Sequence, residues 1–139
     1  MSVSFKEVKI GDSLPVLQIE PINRTILALY AGGSGDHTPY HIDIDYAKAA
    51  GFDDVIAHGM LSMAYLGRLL TQWVLQSQIR TFEARFLTIT PVHVALTCTG
   101  EVVEKFVVEN ENRVRVSLAA HDQAGNVTLA GAAVVGLLD

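Results

Sequence analysis

The chain has 139 residues, a formal net charge of −5 and a pI near 5.4, a size that fits one domain over residues 1–139 burying about two thirds of the surface its unfolded form exposes. Its ten basic residues are scattered, which leaves no electrostatic footprint for nucleic acid. Half of the residues are hydrophobic and the mean hydropathy is +0.31, a balance that points to apolar surface reserved for a partner or a ligand tunnel.

The single cysteine, Cys98, rules out an internal disulfide and fits a reducing compartment. The first residues, MSVSFKEVKIGD, contain no apolar signal segment, and the longest apolar run, Val127 to Leu138, falls short of the ~20 residues that span a bilayer. The expectation is a soluble, cytoplasmic protein without membrane association.

In chain order, Phe5 to Pro15 reads as an opening strand with a turn at Gly11-Asp12, and Asn23 can cap a short helix from Arg24 to about Ala31 that ends in Gly32-Gly33. The most informative stretch follows, Tyr30 to His41, with the sequence YAGGSGDHTPYH. Asp36 and His41 are five residues apart, up to about 16–18 Å on an extended chain, too far to hold one small molecule. The chain must therefore turn. Gly35 can adopt backbone angles other residues avoid, and Pro39 fixes its own φ and keeps Thr38 out of the helical region. Folded together, a carboxylate and an imidazole are suited to hold, deprotonate and reprotonate a water. The same residues also admit plainer roles, Asp36 as a turn-former and His41 as a packed histidine. Asp36, His37 and His41 are weak metal-ligand candidates, because Pro39 breaks the helix that would align the two imidazoles, and no metal is expected.

Asp45 can cap a second short helix through Ala50, with Gly51 as its stop. From Gly59 to Leu75 the chain is apolar on nearly every side, apart from a stripe of Arg68, Thr71 and Gln72. Such a helix, about 25 Å long, is expected to be buried, and only a sheet wrapped around it could cover it in so small a domain. The C-terminal half supplies the strands. Apolar residues alternate at Phe82, Ala84 and Phe86, at Val92 to Cys98, and at Val114, Val116 and Leu118, before a final apolar run from Val127 to Leu138. Glu109 to Asn112 and Asp122 to Asn126 read as turns. The fold class is α+β, a single hot-dog domain with an antiparallel sheet wrapped around a long central helix.

These residues resemble the MaoC-like dehydratases, including the (R)-specific enoyl-CoA hydratases. That family carries an aromatic residue, then S/T-G-D-x-N-P-x-H, and later H-G-M at the start of the hot-dog helix. Tyr30, Ser34, Gly35, Asp36, Pro39, His41, His58, Gly59 and Met60 match in register, as do Arg85-Phe86 and Pro91-Val92. The resemblance implies hydration of trans-2-enoyl thioesters to (R)-3-hydroxyacyl thioesters, or the reverse dehydration. Asp36 and His41 are implied as the catalytic pair and the Gly59 N–H as the binder of the thioester oxygen. Gly35, Thr38, Pro39, Tyr40 and His58 are implied to support the motif, His58 by holding the start of the helix. No cofactor is implied beyond the carrier of the acyl group, CoA or acyl carrier protein.

The sequence departs from the family pattern at several points. Thr38 stands for the usual Asn, Tyr40 for an aliphatic residue, and Gly67 for a serine that supports the catalytic Asp in some members. Ala95-Leu96 replaces a frequent Gly-Asp turn. A single hot-dog unit leaves apolar surface uncovered, so a homodimer or larger homo-oligomer is expected, with one half of a heterodimer as the alternative. A non-catalytic acyl-thioester-binding protein and a hot-dog thioesterase are the competing functional readings.

Overall fold

A computed structural model describes residues 3–139; Met1 and Ser2, at the head of the polar N-terminal segment, lie outside them. Strands β1 (Leu17–Ile19), β2 (Ile79–Phe86), β3 (Leu96–Val108), β4 (Glu111–His121) and β5 (Val127–Gly136) form one antiparallel sheet in the order β1-β3-β4-β5-β2. Helices α1 (Arg24–Ser34), α2 (Ile44–Ala49) and α3 (Gly59–Trp73) precede β2, and α3 packs against the sheet. This is the hot-dog arrangement.

The core lies between α3 and the central strands. Leu61, Leu66, Leu69 and Leu70 of α3 are buried with Cys98, Val102, Val114, Val116, Leu118 and Val135 of the sheet. Alternation builds this layer, because β4 turns Val114, Val116, Leu118 and Ala120 inward. Burial raises the Cys98 thiol to about 11, leaving it unreactive at neutral pH.

Local signals explain most boundaries. Asn23 accepts from the Ile26 N–H and caps α1. The β3–β4 hairpin turns through Glu109 and Asn110, both at positive φ (51° and 64°), the conformation of a two-residue turn matched to strand twist. The final strand starts at Val127 as expected but ends at Gly136.

Other expectations are corrected. Phe5 to Pro15 is irregular; it runs beside β3 through bonds such as Leu14 N–H to Gly100 O, and the regular opening strand is Leu17–Ile19. Helix α1 continues through Gly32-Gly33 to Ser34 and stops at Gly35, whose φ of 77° makes it the left-handed cap. Asp43, not Asp45, caps α2 by accepting from the Asp45 and Tyr46 N–H groups. The alternation from Val92 is interrupted because His93 turns at φ 70° and donates its N–H to Ile22 O, so β3 begins only at Leu96. Helix α3 is also less enclosed than its composition suggests, since Met60 and Ala64 extend the exposed Arg68, Thr71 and Gln72 stripe.

Strand β2 lies against β5 with Ala84 opposite Gly131, and a Cβ on Gly131 would come within 2.2 Å of the Glu83 carbonyl oxygen. Gly131→Ala is expected to push β2 away and destabilise the fold by about 1–3 kcal/mol, measured by urea denaturation.

Candidate functional site

The loop between α1 and α2 is shaped by three local devices. Gly35 ends α1 in the left-handed region, where Ser34 Oγ accepts the Asp36 N–H. Thr38 is extended ahead of Pro39, and Pro39 opens a single 3-10 turn, Pro39–His41. The turn faces the carboxylate of Asp36 toward the imidazole of His41, with Asp36 Oδ2 and His41 Nε2 3.8 Å apart.

Hydrogen bonding fixes what these two groups present. His41 Nδ1 lies 2.7 Å from the Ile56 carbonyl oxygen. A carbonyl oxygen only accepts, so Nδ1 carries the proton, and in the neutral ring Nε2 is a bare acceptor facing Asp36. Burial pushes the His41 imidazole below its ordinary value; the Ile56 bond and the Asp36 charge oppose this, while His58 adds to it. At neutral pH the ring is therefore uncharged. On Asp36, Oδ1 accepts from Thr38 Oγ1 at 2.6 Å and from the Thr38 N–H at 3.1 Å. The Thr38 hydroxyl, followed by its N–H, holds the Asp36 carboxyl below the usual carboxylate range. Thr38 is thus the partner of Asp36, filling the supporting role that the sequence left open at Gly67. Gly67 instead borders the ring of Phe82.

His58 stands at the N-cap of α3 without bonding the helix through its side chain. From the start of the helix its side chain reaches the loop, where its Nε2 lies 3.0 Å from the Asp36 carbonyl oxygen. Its ring stacks on His41 at 3.8 Å, with 21° between planes, and Tyr30 packs edge-on against it. Two buried polar atoms have no hydrogen-bonding partner among the described residues, His58 Nδ1 and Ser62 Oγ. Orphaned atoms of this kind cost roughly 1–3 kcal/mol each.

Asp36, His41, Tyr40 and Gly59 border a cavity of about 490 Å³, walled also by Met60, Ser62, Phe86 to Thr90 and the start of β5. Gly59 is the first residue of α3, so its N–H has no acceptor within the helix. Its lack of a side chain has a further reason that the sequence did not show. The Phe86 ring sits 3.0 Å from where a Cβ would be. Tyr40 makes an edge contact with His41 and accepts the Ile56 N–H through its carbonyl, so it braces His41 and the segment that holds it.

The metal candidate changes membership. His37 is exposed, its Nδ1 3.3 Å from Gly35 O, and the residues whose ligand atoms converge within 4.8 Å are Asp36, His41 and His58. The fit to a metal is poor. His41 Nδ1 and His58 Nε2 are committed to carbonyl oxygens, and two stacked rings cannot both aim in-plane lone pairs at one ion.

The structure thus sets an Asp/His pair beside the N-terminus of the central helix of a hot-dog sheet, at the wall of a cavity. The chain belongs to the MaoC like domain family, whose sequence profile matches residues 6–124. It is 31% identical to the (R)-specific enoyl-CoA hydratase of Rhodospirillum rubrum over 137 residues, covering 94% of this chain and 89% of that protein. It is 32% identical to the peroxisomal enoyl-CoA hydratase 2 of Arabidopsis thaliana over 84 residues, 58% of this chain and 27% of that one. Among solved structures, the R-hydratase PhaJ1 of Pseudomonas aeruginosa superposes with a TM-score of 0.87 at 28% identity, covering 99% of this chain and 87% of that one. No helix among the described residues is long and apolar enough to cross a membrane.

Removing the Thr38 hydroxyl takes away the shorter of the two hydrogen bonds to Asp36 Oδ1 and leaves the one from the Thr38 N–H. In Thr38→Val the Asp36 carboxyl is expected to titrate at higher pH than in the wild type, followed by carboxyl-carbon NMR; an unchanged midpoint would mean that Thr38 does not hold the charge.

Proposed function

We propose that this chain hydrates trans-2-enoyl thioesters to (R)-3-hydroxyacyl thioesters and catalyses the reverse dehydration. The observation that carries the reading is the 3.8 Å pair of acceptors, Asp36 Oδ2 and His41 Nε2, at the wall of the cavity. Two facing acceptors are complementary to one water, which can donate a hydrogen to each. Similarity to the (R)-specific enoyl-CoA hydratase of Rhodospirillum rubrum supplies the substrate class.

In this reading the water oxygen attacks C3 of the enoyl group while His41 Nε2 takes one of its protons. His41 suits that role because its ordinary range lies nearer neutrality than that of a carboxylate depressed by Thr38. Asp36 orients the water and stabilises the imidazolium that forms. The electron pair of the double bond passes to the thioester oxygen, where the Gly59 N–H and the positive end of α3 receive the enolate charge. The proton on His41 then returns to C2, so the elements of one water are added and both residues are restored. This acid–base chemistry calls for no cofactor beyond the carrier of the acyl group.

The rim supports an oligomer. Met60, Phe86, Leu87 and Ile89 are exposed beside the cavity, next to the free edge of β2, an apolar surface suited to a second copy in a homodimer. The bond from Thr38 to Asp36 weakens the case for a non-catalytic binding protein, which rested on Thr38 and Gly67 as defects of the site.

Crotonyl-CoA is expected to lose its conjugated-enoyl absorbance with the wild type and to yield the (R)-3-hydroxy product. Asp36→Asn and His41→Ala are each expected to lower turnover by about 10²-fold or more. Release of free CoA would indicate a thioesterase, and binding without turnover a binding protein. Turnover should also persist to a lower pH than an unperturbed histidine would allow, since burial depresses His41; a rate lost at a pH above the ordinary histidine value would contradict the assignment of His41 as base.

A further inference from the structure

The loop that carries Asp36 is tethered by one side chain from outside it, His58, whose Nε2–H donates to the Asp36 carbonyl oxygen at 3.0 Å. That bond requires the proton to sit on Nε2. In the other neutral tautomer a bare Nε2 would face the carbonyl lone pairs, and the tether would become a repulsion. The proton's place therefore governs whether Asp36 is held against His41. With the proton on Nε2, the opposite nitrogen of the neutral ring, Nδ1, is an acceptor, and it is buried without a partner.

Ser62 is also buried and its Oγ has no partner. His58 is the N-cap of α3, and Ser62 follows it by four residues, in the first turn of the helix. A buried acceptor and a buried donor thus lie four residues apart, and the serine hydroxyl swings about its Cα–Cβ bond. We propose that Ser62 is a positioning residue for the Asp36–His41 pair, its hydroxyl donating to His58 Nδ1 and so stabilising the His58 tautomer that tethers the Asp36 loop. The relay runs from Ser62 Oγ–H to His58 Nδ1, and from His58 Nε2–H to Asp36 O. Its catalytic consequence rests on the hydratase reading, but the hydrogen bond does not.

The test separates the two. Nitrogen-15 NMR of the imidazole of His58 in the intact protein reports both ring nitrogens directly. The wild type is expected to show a protonated Nε2 and an unprotonated Nδ1 shifted by an accepted hydrogen bond. In Ser62→Ala, the Nδ1 resonance should move to the value of a free acceptor or to a mixture of tautomers, and Ser62→Thr should restore it. Alanine is favourable inside a helix, so the variant is expected to fold. Crotonyl-CoA turnover in Ser62→Ala should show kcat about tenfold lower with KM little changed, recovered in Ser62→Thr. An Nδ1 resonance identical in wild type and Ser62→Ala, or a wild-type proton on Nδ1, would overturn the proposal whatever the activity. The expected resonances in a protein that hydrates no enoyl thioester would instead retain the relay and overturn the hydratase reading.

Discussion

His41 gives its Nδ1 proton to the Ile56 carbonyl oxygen, and the chemistry of the site follows from that bond. It decides which nitrogen faces Asp36, and burial keeps that nitrogen unprotonated at neutral pH. Were the tautomer reversed, Nε2–H would point at the carboxylate and the pair would close on itself as an ordinary hydrogen bond. Held as it is, the pair offers two acceptors to whatever lies between them. Ile56 can serve because its own N–H is bound to Tyr40 O, and Ala57 is bound to Thr90 O, so the segment leading into α3 is fixed on both sides.

The scaffold converts this local constraint into a site. The hot-dog sheet buries one face of α3, and the helix in turn fixes where its N-terminus stands relative to the loop. His58 and Gly59, adjacent in sequence, then serve different ends: one reaches back to the Asp36 carbonyl, and the other opens α3 at the wall of the cavity. Stacked His41 and His58 rings join the two segments, so a shift of the helix would be felt at Asp36. Phe86 at the end of β2 closes the third side by packing on Gly59.

Much of this was legible in the sequence, where the signal was local. Asn23, Gly35 and Pro39 each state a backbone requirement within a few residues, and the alternation of β4 names its buried face. The long apolar helix also announced a wrapping sheet. What was hidden depends on partners distant in the chain. The three-residue strand Leu17–Ile19 carries too short a pattern to read, and it exists because β3 offers it an edge. The tie from His58 to Asp36 spans 22 positions, and that from His41 to Ile56 spans 15. Gly67 appeared to be a missing support for Asp36 only because the direction of the Thr38 hydroxyl is set by the fold of the loop and not by its sequence.

The most direct test of the account is the protonation of His41, read from the nitrogen-15 resonances of its ring as pH is varied. Nδ1 is expected to carry the proton and Nε2 to be bare at neutral pH, with Nε2 protonated at a lower pH than in an unperturbed histidine. A proton on Nε2 at neutral pH, or titration above the ordinary histidine value, would contradict this, because Asp36 and His41 would then no longer be two facing acceptors.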